Sequence, residues 1–270
     1  MTRPNPGNLR KIDYYMSPAR DFTGAPGRPG FRYLLCSSPR CGSTLLGEML
    51  YETGVAGDPL EYLNGNYIAS YLHQRGLAVK IPVEEYLRDI ERRRTSVNGY
   101  FGIQIHFTHF IKSIGQNLDL AAAFLKGQDR VVLLRRRDKI AQAVSLYRAT
   151  RTGIYSSRDV ELLTEAEKGL ADDQAVAFDP IVIAKILQNI IWQDSGWKSW
   201  LDDHGIPHIA MYYEDFTADY LGQSTAVLEY LGLPCQPADV PPQQLVRLGS
   251  DRDPLVLQFK SLLGLELPPA

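Results

Sequence analysis

Apolar and polar positions along this chain predict short strands separated by helices. Four short segments are largely apolar, which is typical of buried parallel strands. Apolar residues at helical spacing predict amphipathic helices between them. The predicted strands are 31–36, 100–107, 131–134 and 208–213, and the predicted helices are 43–52, 66–76, 83–94, 138–150, 159–167, 181–204 and 218–231, followed by a short final helix.

Strands that alternate with helices predict the fold class. Such strands pair in parallel through right-handed crossovers, which place helices on both faces of the sheet. We therefore expect an α/β fold with a central, mainly parallel sheet flanked by helices. Ligands in such folds bind beyond the carboxyl ends of the strands.

The domain organisation follows from a shift in composition along the chain. Residues 1–30 are rich in proline and glycine and predict an N-terminal arm without a core of its own. Residues 31–270 predict a single domain, long enough to bury a substantial core. Within it, residues 151–178 are more polar and predict a flexible insertion.

Composition and charge exclude several classes of protein. The 270 residues are 44% hydrophobic and carry a net charge of −2, so a long nucleic acid is not a favoured partner. The three cysteines, Cys36, Cys41 and Cys235, predict neither a disulfide framework nor a zinc site. No apolar run approaches the roughly 20 residues of a membrane span, and the N-terminus lacks a secretory signal. We therefore expect a cytoplasmic protein without a membrane span or a metal.

The loop between the first strand and the first helix carries the clearest chemistry. It reads Cys-Ser-Ser-Pro-Arg-Cys-Gly-Ser-Thr over residues 36–44. A helix N-terminus offers free N–H groups and a positive dipole to a phosphate. Gly42 permits close backbone approach, Ser43 and Thr44 add hydroxyl donors, and Arg40 adds a cation with forked hydrogen bonds. The alternative is an ordinary helix cap, with the hydroxyls bound to their own backbone.

A P-loop kinase is the enzymatic alternative for the same loop. Its fingerprint is G-x-x-x-x-G-K-[ST], which holds Mg²⁺–ATP. Here the first glycine is missing, and Ser43 stands where the lysine is required. The strand 131–134 runs into arginines rather than a metal-binding aspartate. Both departures disfavour the kinase.

A family resemblance narrows the function. Residues 33–46 look like the 5′-phosphosulfate loop of sulfotransferases, and residues 53–62 resemble the bacterial trehalose 2-sulfotransferase family. Further matches lie at residues 135–149 and 212–216, so the resemblance runs from about residue 31 to the end. It implies a P-loop-like three-layer fold and 3′-phosphoadenosine 5′-phosphosulfate (PAPS) as cosubstrate. It also implies a carbohydrate or glycolipid acceptor, trehalose or a related glucoside first, and a homodimer. The loop residues that it assigns to PAPS are Pro39, Arg40, Cys41, Gly42, Ser43 and Thr44.

A second element resembles the family's 3′-phosphate site. By the match at residues 134–145, the ligands are Arg136 and Ser145, with a register uncertain by one residue because Arg137 replaces a frequent proline. The alternative is a solvated basic cluster at a strand end. Near the C-terminus the resemblance assigns Arg252 to the nucleotide site, with Arg247 as the second candidate.

Two residues are candidates for the base that takes the acceptor proton. The resemblance points to Glu61, with Arg40 stabilising the charge that leaves with the phosphate. The Asp58-x-x-Glu61 spacing is also the signature of a capped helix start. His106, at the end of a predicted strand, is the second candidate, although a histidine there is often structural. Glu61 is the preferred base.

One departure from many sulfotransferases leaves a non-catalytic alternative open. Where they carry Lys-x-His, this chain has Gln104-Ile-His106, so a cation near the phosphosulfate is missing. A nucleotide- or glycan-binding protein on the same fold remains the alternative. The three tryptophans at residues 192, 197 and 200 could stack on a sugar, but aromatic residues on a helix are more often part of the core, and they are not assigned to the site.

Overall fold

The protein is built around a parallel sheet of four strands. The computed structural model describes residues 12–24, 26–77, 81–164, 176–233, 236–245 and 253–265. The strand order is β2-β1-β3-β4, and every pairing is parallel. The predicted parallel sheet is therefore confirmed. The strands are β1 (Phe31–Ser37), β2 (Tyr100–His106), β3 (Arg130–Arg135) and β4 (Ile209–Tyr212).

Helices occupy the connections between the strands. They are α1 (Ser43–Glu52), α2 (Gly65–Gln74), α3 (Val83–Arg94), α4 (Phe107–Phe110) with a π-helical turn at Ile111–Gly115, α5 (Leu118–Lys126), α6 (Lys139–Thr152), α7 (Ser157–Leu162), α8 (Pro180–Asp203), α9 (Tyr213–Ala218), α10 (Tyr220–Tyr230) and α11 (Pro254–Leu262). Residues 12–16 form a further helical segment. Among all of these described helices, none combines the length and apolarity that crossing a bilayer requires.

Both faces of the sheet are buried, as the apolar strands predict. Along β1, Leu34 and Cys36 pack into one hydrophobic cluster, while Tyr33 and Leu35 pack into another on the opposite face. This alternation follows from the period of two in a strand. Helices cover each face, which gives the three-layer α/β architecture expected from the sequence.

The long helix α8 supports the centre of the sheet. Trp197 is fully buried in the cluster that contains Phe107 and Phe110, and its Nε1 donates a hydrogen bond to the Ser37 carbonyl oxygen at 2.9 Å. Trp192 lies at the rim with 47% of its surface exposed. Trp197 therefore fastens the end of β1, just before the predicted phosphate loop.

The described part of the N-terminal segment packs against the domain. Ile12, Tyr15 and Met16 are buried members of the same cluster. The Phe22 backbone N–H donates to the Arg93 carbonyl oxygen at 2.8 Å. Residues 12–22 thus share the core of the domain, whereas a domain boundary at residue 30 stays a prediction.

The prediction that a capped helix starts at Asp58 is wrong. Residues 58–63 are not helical, and α2 begins only at Gly65, where the Asn64 side chain accepts from the Asn66 N–H at 3.0 Å. Leu60 instead forms an isolated parallel bridge with Ile103 of β2. The physical reason is that the Asp58 carboxylate is engaged elsewhere and does not accept from a helix N-terminus.

Two other predicted helices differ in their extent. The helix predicted over 218–231 is interrupted at Asp219, whose side chain accepts from the Gly222 N–H at 3.0 Å and starts α10. The acidic helix predicted over 159–167 is observed as Ser157–Leu162, and residues 165–167 lie outside the described residues.

A buried ion cluster holds Asp58. Arg20 donates to it through Nε at 3.1 Å and Nη2 at 2.7 Å, and Arg94 donates through Nη1 at 2.5 Å. Asp58 and Arg94 have no exposed surface, and Arg20 keeps 4%. A buried carboxylate is stable only when such partners replace its water.

We expect Asp58→Ala to lower the free energy of unfolding by about 3 kcal/mol, because it strands two buried guanidinium groups. Glu91→Gln is the matched control, since it breaks the Arg32–Glu91 pair, in which Arg32 is 36% exposed. The control is expected to lose less than about 1 kcal/mol. Urea denaturation of both variants measures the difference, and equal losses would contradict the assignment.

Candidate active site

The loop after β1 is shaped by two left-handed residues. Arg40 has φ of 67° and Gly42 has φ of 88°, and α1 starts at the next residue, Ser43. A Cβ at Gly42 would lie 2.6 Å from the Tyr213 ring, so only glycine fits there. The N–H groups at the start of α1 therefore face the space beyond the sheet, where an anion is favoured.

Buried polar contacts fix the loop from behind. The Ser38 hydroxyl donates to Asp194 of α8 at 2.6 Å, and Lys139 forms an ion pair with the same carboxylate. The Gln142 amide donates to Ser38 Oγ at 2.9 Å and to the Pro39 carbonyl oxygen at 2.7 Å. These contacts position the loop before any ligand binds.

The three consecutive arginines at the end of β3 have different partners. Arg135 pairs with Asp194 at 3.4 Å. Arg137 is half exposed and makes a two-pronged ion pair with Asp215, with both contacts at 2.6 Å. Arg136 lines the cleft beside the loop, 7% exposed, with its guanidinium 4.7 Å from the centre of the Tyr213 ring. Of the three arginines, Arg136 is therefore the one that lines the cleft.

Arg40 connects the two predicted phosphate elements. Its Nε donates to Ser145 Oγ at 3.0 Å, and its Nη1 donates to the Tyr155 carbonyl oxygen. Arg136 in turn donates to the Arg40 carbonyl oxygen at 3.4 Å. Burial lowers the pKa of Arg40, and the neighbouring charge of Arg136 lowers it further. The repulsion between these two guanidinium groups favours an anion between them.

Glu61 reaches the same cleft from the segment before α2. Its Oε1 lies 3.2 Å from His106 Nε2 and accepts from the Gln104 amide at 3.3 Å. Its Oε2 accepts from the Asn64 amide at 2.9 Å and lies 3.6 Å from His109 Nδ1. Burial raises the pKa of Glu61, but His106, His109 and Asn64 outweigh burial and hold it below its usual value.

The sheet register explains why His106 meets the loop. His106 pairs with Ser37 at the carboxyl ends of β2 and β1. The Ser37 hydroxyl and His106 Nδ1 are 2.9 Å apart, which leaves Nε2 directed at Glu61. The Gln104 amide also donates to Ser43 Oγ at 3.0 Å. Gln104 is thus a neutral donor that joins the phosphate loop to Glu61.

One cleft, with a volume of about 530 Å³, contains these groups. Of the residues predicted for the site, those that line it are Pro39, Arg40, Gly42, Ser43, Thr44, Glu61, His106, Arg136 and Ser145. Cys41 is fully buried in a hydrophobic cluster behind the loop. Arg247 and Arg252 lie outside the described residues. Within the described ranges, no group of three or more His, Cys, Asp or Glu side chains could hold a metal.

His109 and Tyr213 are among the lining residues that the sequence analysis missed. Burial lowers the pKa of His109 to about 4, so its ring is neutral near pH 7. It follows His106 by three residues at the end of a strand, a spacing that places both rings on one helical turn. Tyr213 follows β4, and its position at the carboxyl edge of the sheet was the signal for it.

Comparisons with known proteins find a family model and two curated relatives that match this chain. The model of the family described as Stf0 sulphotransferase matches residues 32–254. Trehalose 2-sulfotransferase of Mycobacterium tuberculosis is 27% identical over 238 residues, which cover 74% of this chain and 84% of that protein. The same-named protein of Mycolicibacterium smegmatis is 25% identical over 235 residues, with the same coverage of both chains.

Solved sulfotransferase structures are also similar to this chain. The sulfotransferase domain of the Synechococcus olefin synthase is 15% identical, with a TM-score of 0.43, and the match covers 92% of this chain and 99% of that one. A sulfotransferase from Alicyclobacillus acidocaldarius is 14% identical, with a TM-score of 0.44, and the match covers 89% and 97% of the two chains.

Proposed function

The chain belongs to the Stf0 sulphotransferase family, and on that premise we propose that it transfers the sulfuryl group of PAPS to a hydroxyl of a carbohydrate or glycolipid. Trehalose or a related glucoside is the first acceptor to test, because the two curated relatives are trehalose 2-sulfotransferases. A homodimer in which both subunits shape the sugar pocket stays a prediction from the family resemblance.

One observation carries the proposal. A single cleft is lined by the phosphate loop, by the Arg136–Ser145 element and by Glu61. A transferase needs these three parts within reach of one another, because donor and acceptor must meet in line. An isolated helix cap or a solvated basic cluster requires no such convergence.

The residues of the cleft fit a donor with two phosphate groups. The N-terminus of α1, together with Ser43 and Thr44, would hold the 5′-phosphosulfate. Arg136 and Ser145 would hold the 3′-phosphate. Arg40 lies between them and contacts Ser145 already. PAPS supplies the sulfuryl group when bound, and these residues bind and orient it without a metal.

Glu61 is the proposed base and His106 is its orienting partner. When Ser37 donates to His106 Nδ1, Nε2 carries the proton and donates to Glu61, so the carboxylate remains a proton acceptor. The acceptor oxygen then forms a bond to sulfur while the bond from sulfur to the 5′-phosphate oxygen breaks. Glu61 takes the hydroxyl proton, and adenosine 3′,5′-bisphosphate leaves.

The proposed function is tested by incubating the protein with PAPS and a panel of sugars and glycolipids. We expect a mass increase corresponding to one added sulfate on trehalose or a related glucoside. We also expect adenosine 3′,5′-bisphosphate, but not ATP–Mg²⁺, to raise the melting temperature. Stabilisation by ATP–Mg²⁺ alone would favour a kinase, and binding of the bisphosphate without transfer to any acceptor would favour a non-catalytic protein.

Substitutions of two neighbouring arginines test the assignment of the 3′-phosphate site. We expect Arg136→Met to weaken binding of adenosine 3′,5′-bisphosphate by on the order of 10- to 100-fold, because a charged hydrogen bond is lost. Arg137→Met is the control, because that side chain is half exposed and pairs with Asp215. It should leave the affinity unchanged in calorimetry. Equal effects of the two substitutions would contradict the assignment.

The assignment of Glu61 as the base is tested by the turnover of two variants and by the pH dependence of kcat/KM. We expect Glu61→Gln to lower kcat by on the order of 100-fold or more. His106→Ala removes a group that lowers the pKa of Glu61, so the acidic limb of the profile should move to higher pH. Full turnover in Glu61→Gln together with lost turnover in His106→Ala would make His106 the base.

A further inference from the structure

The segment at residues 12–22 lies outside the matched family region, which begins at residue 32, yet it reaches the cleft. Ile12 lines the cleft and packs in the same cluster as Tyr67 of α2. Asp13 accepts a hydrogen bond from Ser70 at 2.6 Å, which fastens the segment to that helix. The segment therefore forms part of the wall of the cleft that Glu61 also lines.

Arg20, in the same segment, is buried and makes several polar contacts. Besides its two bonds to Asp58, it pairs with Glu48 of α1 at 2.9 Å. Its guanidinium lies 3.7 Å from the centre of the Tyr51 ring. A planar guanidinium that bonds both oxygens of one carboxylate fixes the orientation of that carboxylate as well as its charge.

The backbone from Asp58 to Glu61 is short and held at both ends. The Tyr62 hydroxyl donates to the Asp58 carbonyl oxygen at 2.5 Å, and the Gln104 N–H donates to the Leu60 carbonyl oxygen at 3.0 Å. The second bond aligns the segment with β2, the strand that ends at His106. A displacement of Asp58 would therefore move the carboxylate of Glu61 relative to His106 and Gln104.

We propose that Arg20 is a positioning residue for the reaction: through Asp58 it sets the place of the Glu61 carboxylate at the acceptor side of the cleft. The inference rests on the proposed role of Glu61. Arg20 contacts α1 at Glu48 and Tyr51, beyond the first turn of that helix. It contacts neither the phosphate loop at residues 37–43 nor the Arg136–Ser145 element, so it affects the step that uses the base and leaves nucleotide binding unchanged.

Arg20→Met and Arg20→Lys test the inference. Because a misplacement of about 1 Å can cost on the order of 100-fold in rate, we expect kcat of Arg20→Met to fall by that order. Arg20→Lys keeps the charge without the fork, and its kcat should lie between that of Arg20→Met and that of the wild type. The dissociation constant of adenosine 3′,5′-bisphosphate should be unchanged in both. If Arg20→Met does not fold, Arg20→Lys decides.

Glu48→Gln is the matched control. It removes the charge of Glu48, the second carboxylate that pairs with Arg20, and leaves the pair of Arg20 with Asp58 intact. Burial raises the pKa of Glu48 although Arg20 lowers it, and the amide keeps the shape of the carboxyl group. We expect this variant to retain kcat. A loss of kcat equal to that of the Arg20 variants would overturn the inference, because the effect would then follow the packing around Arg20.

Crystal structures of Arg20→Lys and Glu48→Gln give a readout that does not depend on turnover. We expect the 3.2 Å contact between Glu61 Oε1 and His106 Nε2 to be lost in Arg20→Lys and kept in Glu48→Gln. An undisplaced Glu61 and wild-type kcat in Arg20→Lys would overturn the inference. A wild-type protein that transfers no sulfuryl group would overturn the proposed function alone, since the crystal structures still decide whether Arg20 positions Glu61.

Discussion

The Asp58 carboxylate lies fully buried between the guanidinium groups of Arg20 and Arg94, and that contact holds together three segments that are far apart in sequence. The two cations lie on opposite sides of Asp58 in the sequence, one in the N-terminal segment and one at the end of α3. Their shared anion joins both segments to the loop that carries Glu61. A buried ion pair contributes little net stability compared with apolar packing, but it specifies one arrangement, since every alternative leaves a charge without a partner.

The parallel sheet supplies the second constraint. Ser37, at the carboxyl end of β1, pairs with His106 on one side and with Leu134 on the other, so the residues that follow these strands meet at one edge. The phosphate loop, the helix after β2 and the arginines after β3 all start from this row. Chemistry carried by three distant parts of the chain is thereby brought into one cleft.

Much of this arrangement could be predicted from the sequence, because local patterns determine it. Val83–Arg94 was predicted to the residue, since acidic residues begin that amphipathic helix and arginines end it. The role of Asp58 could not be predicted, because its partners Arg20 and Arg94 lie 38 and 36 positions away. Its local spacing imitated a helix cap, and only the tertiary contacts show that the carboxylate is used differently.

Cys41 gives the phosphate loop a property that its position in the sequence does not suggest. The side chain turns away from the cleft into a hydrophobic cluster, and burial raises the pKa of its thiol to about 12. Near pH 7 the thiol is therefore protonated, whereas the thiolate is the reactive form. The loop can therefore present its backbone to an anion in the presence of oxidants or alkylating reagents, with a sulfur atom that is chemically inert.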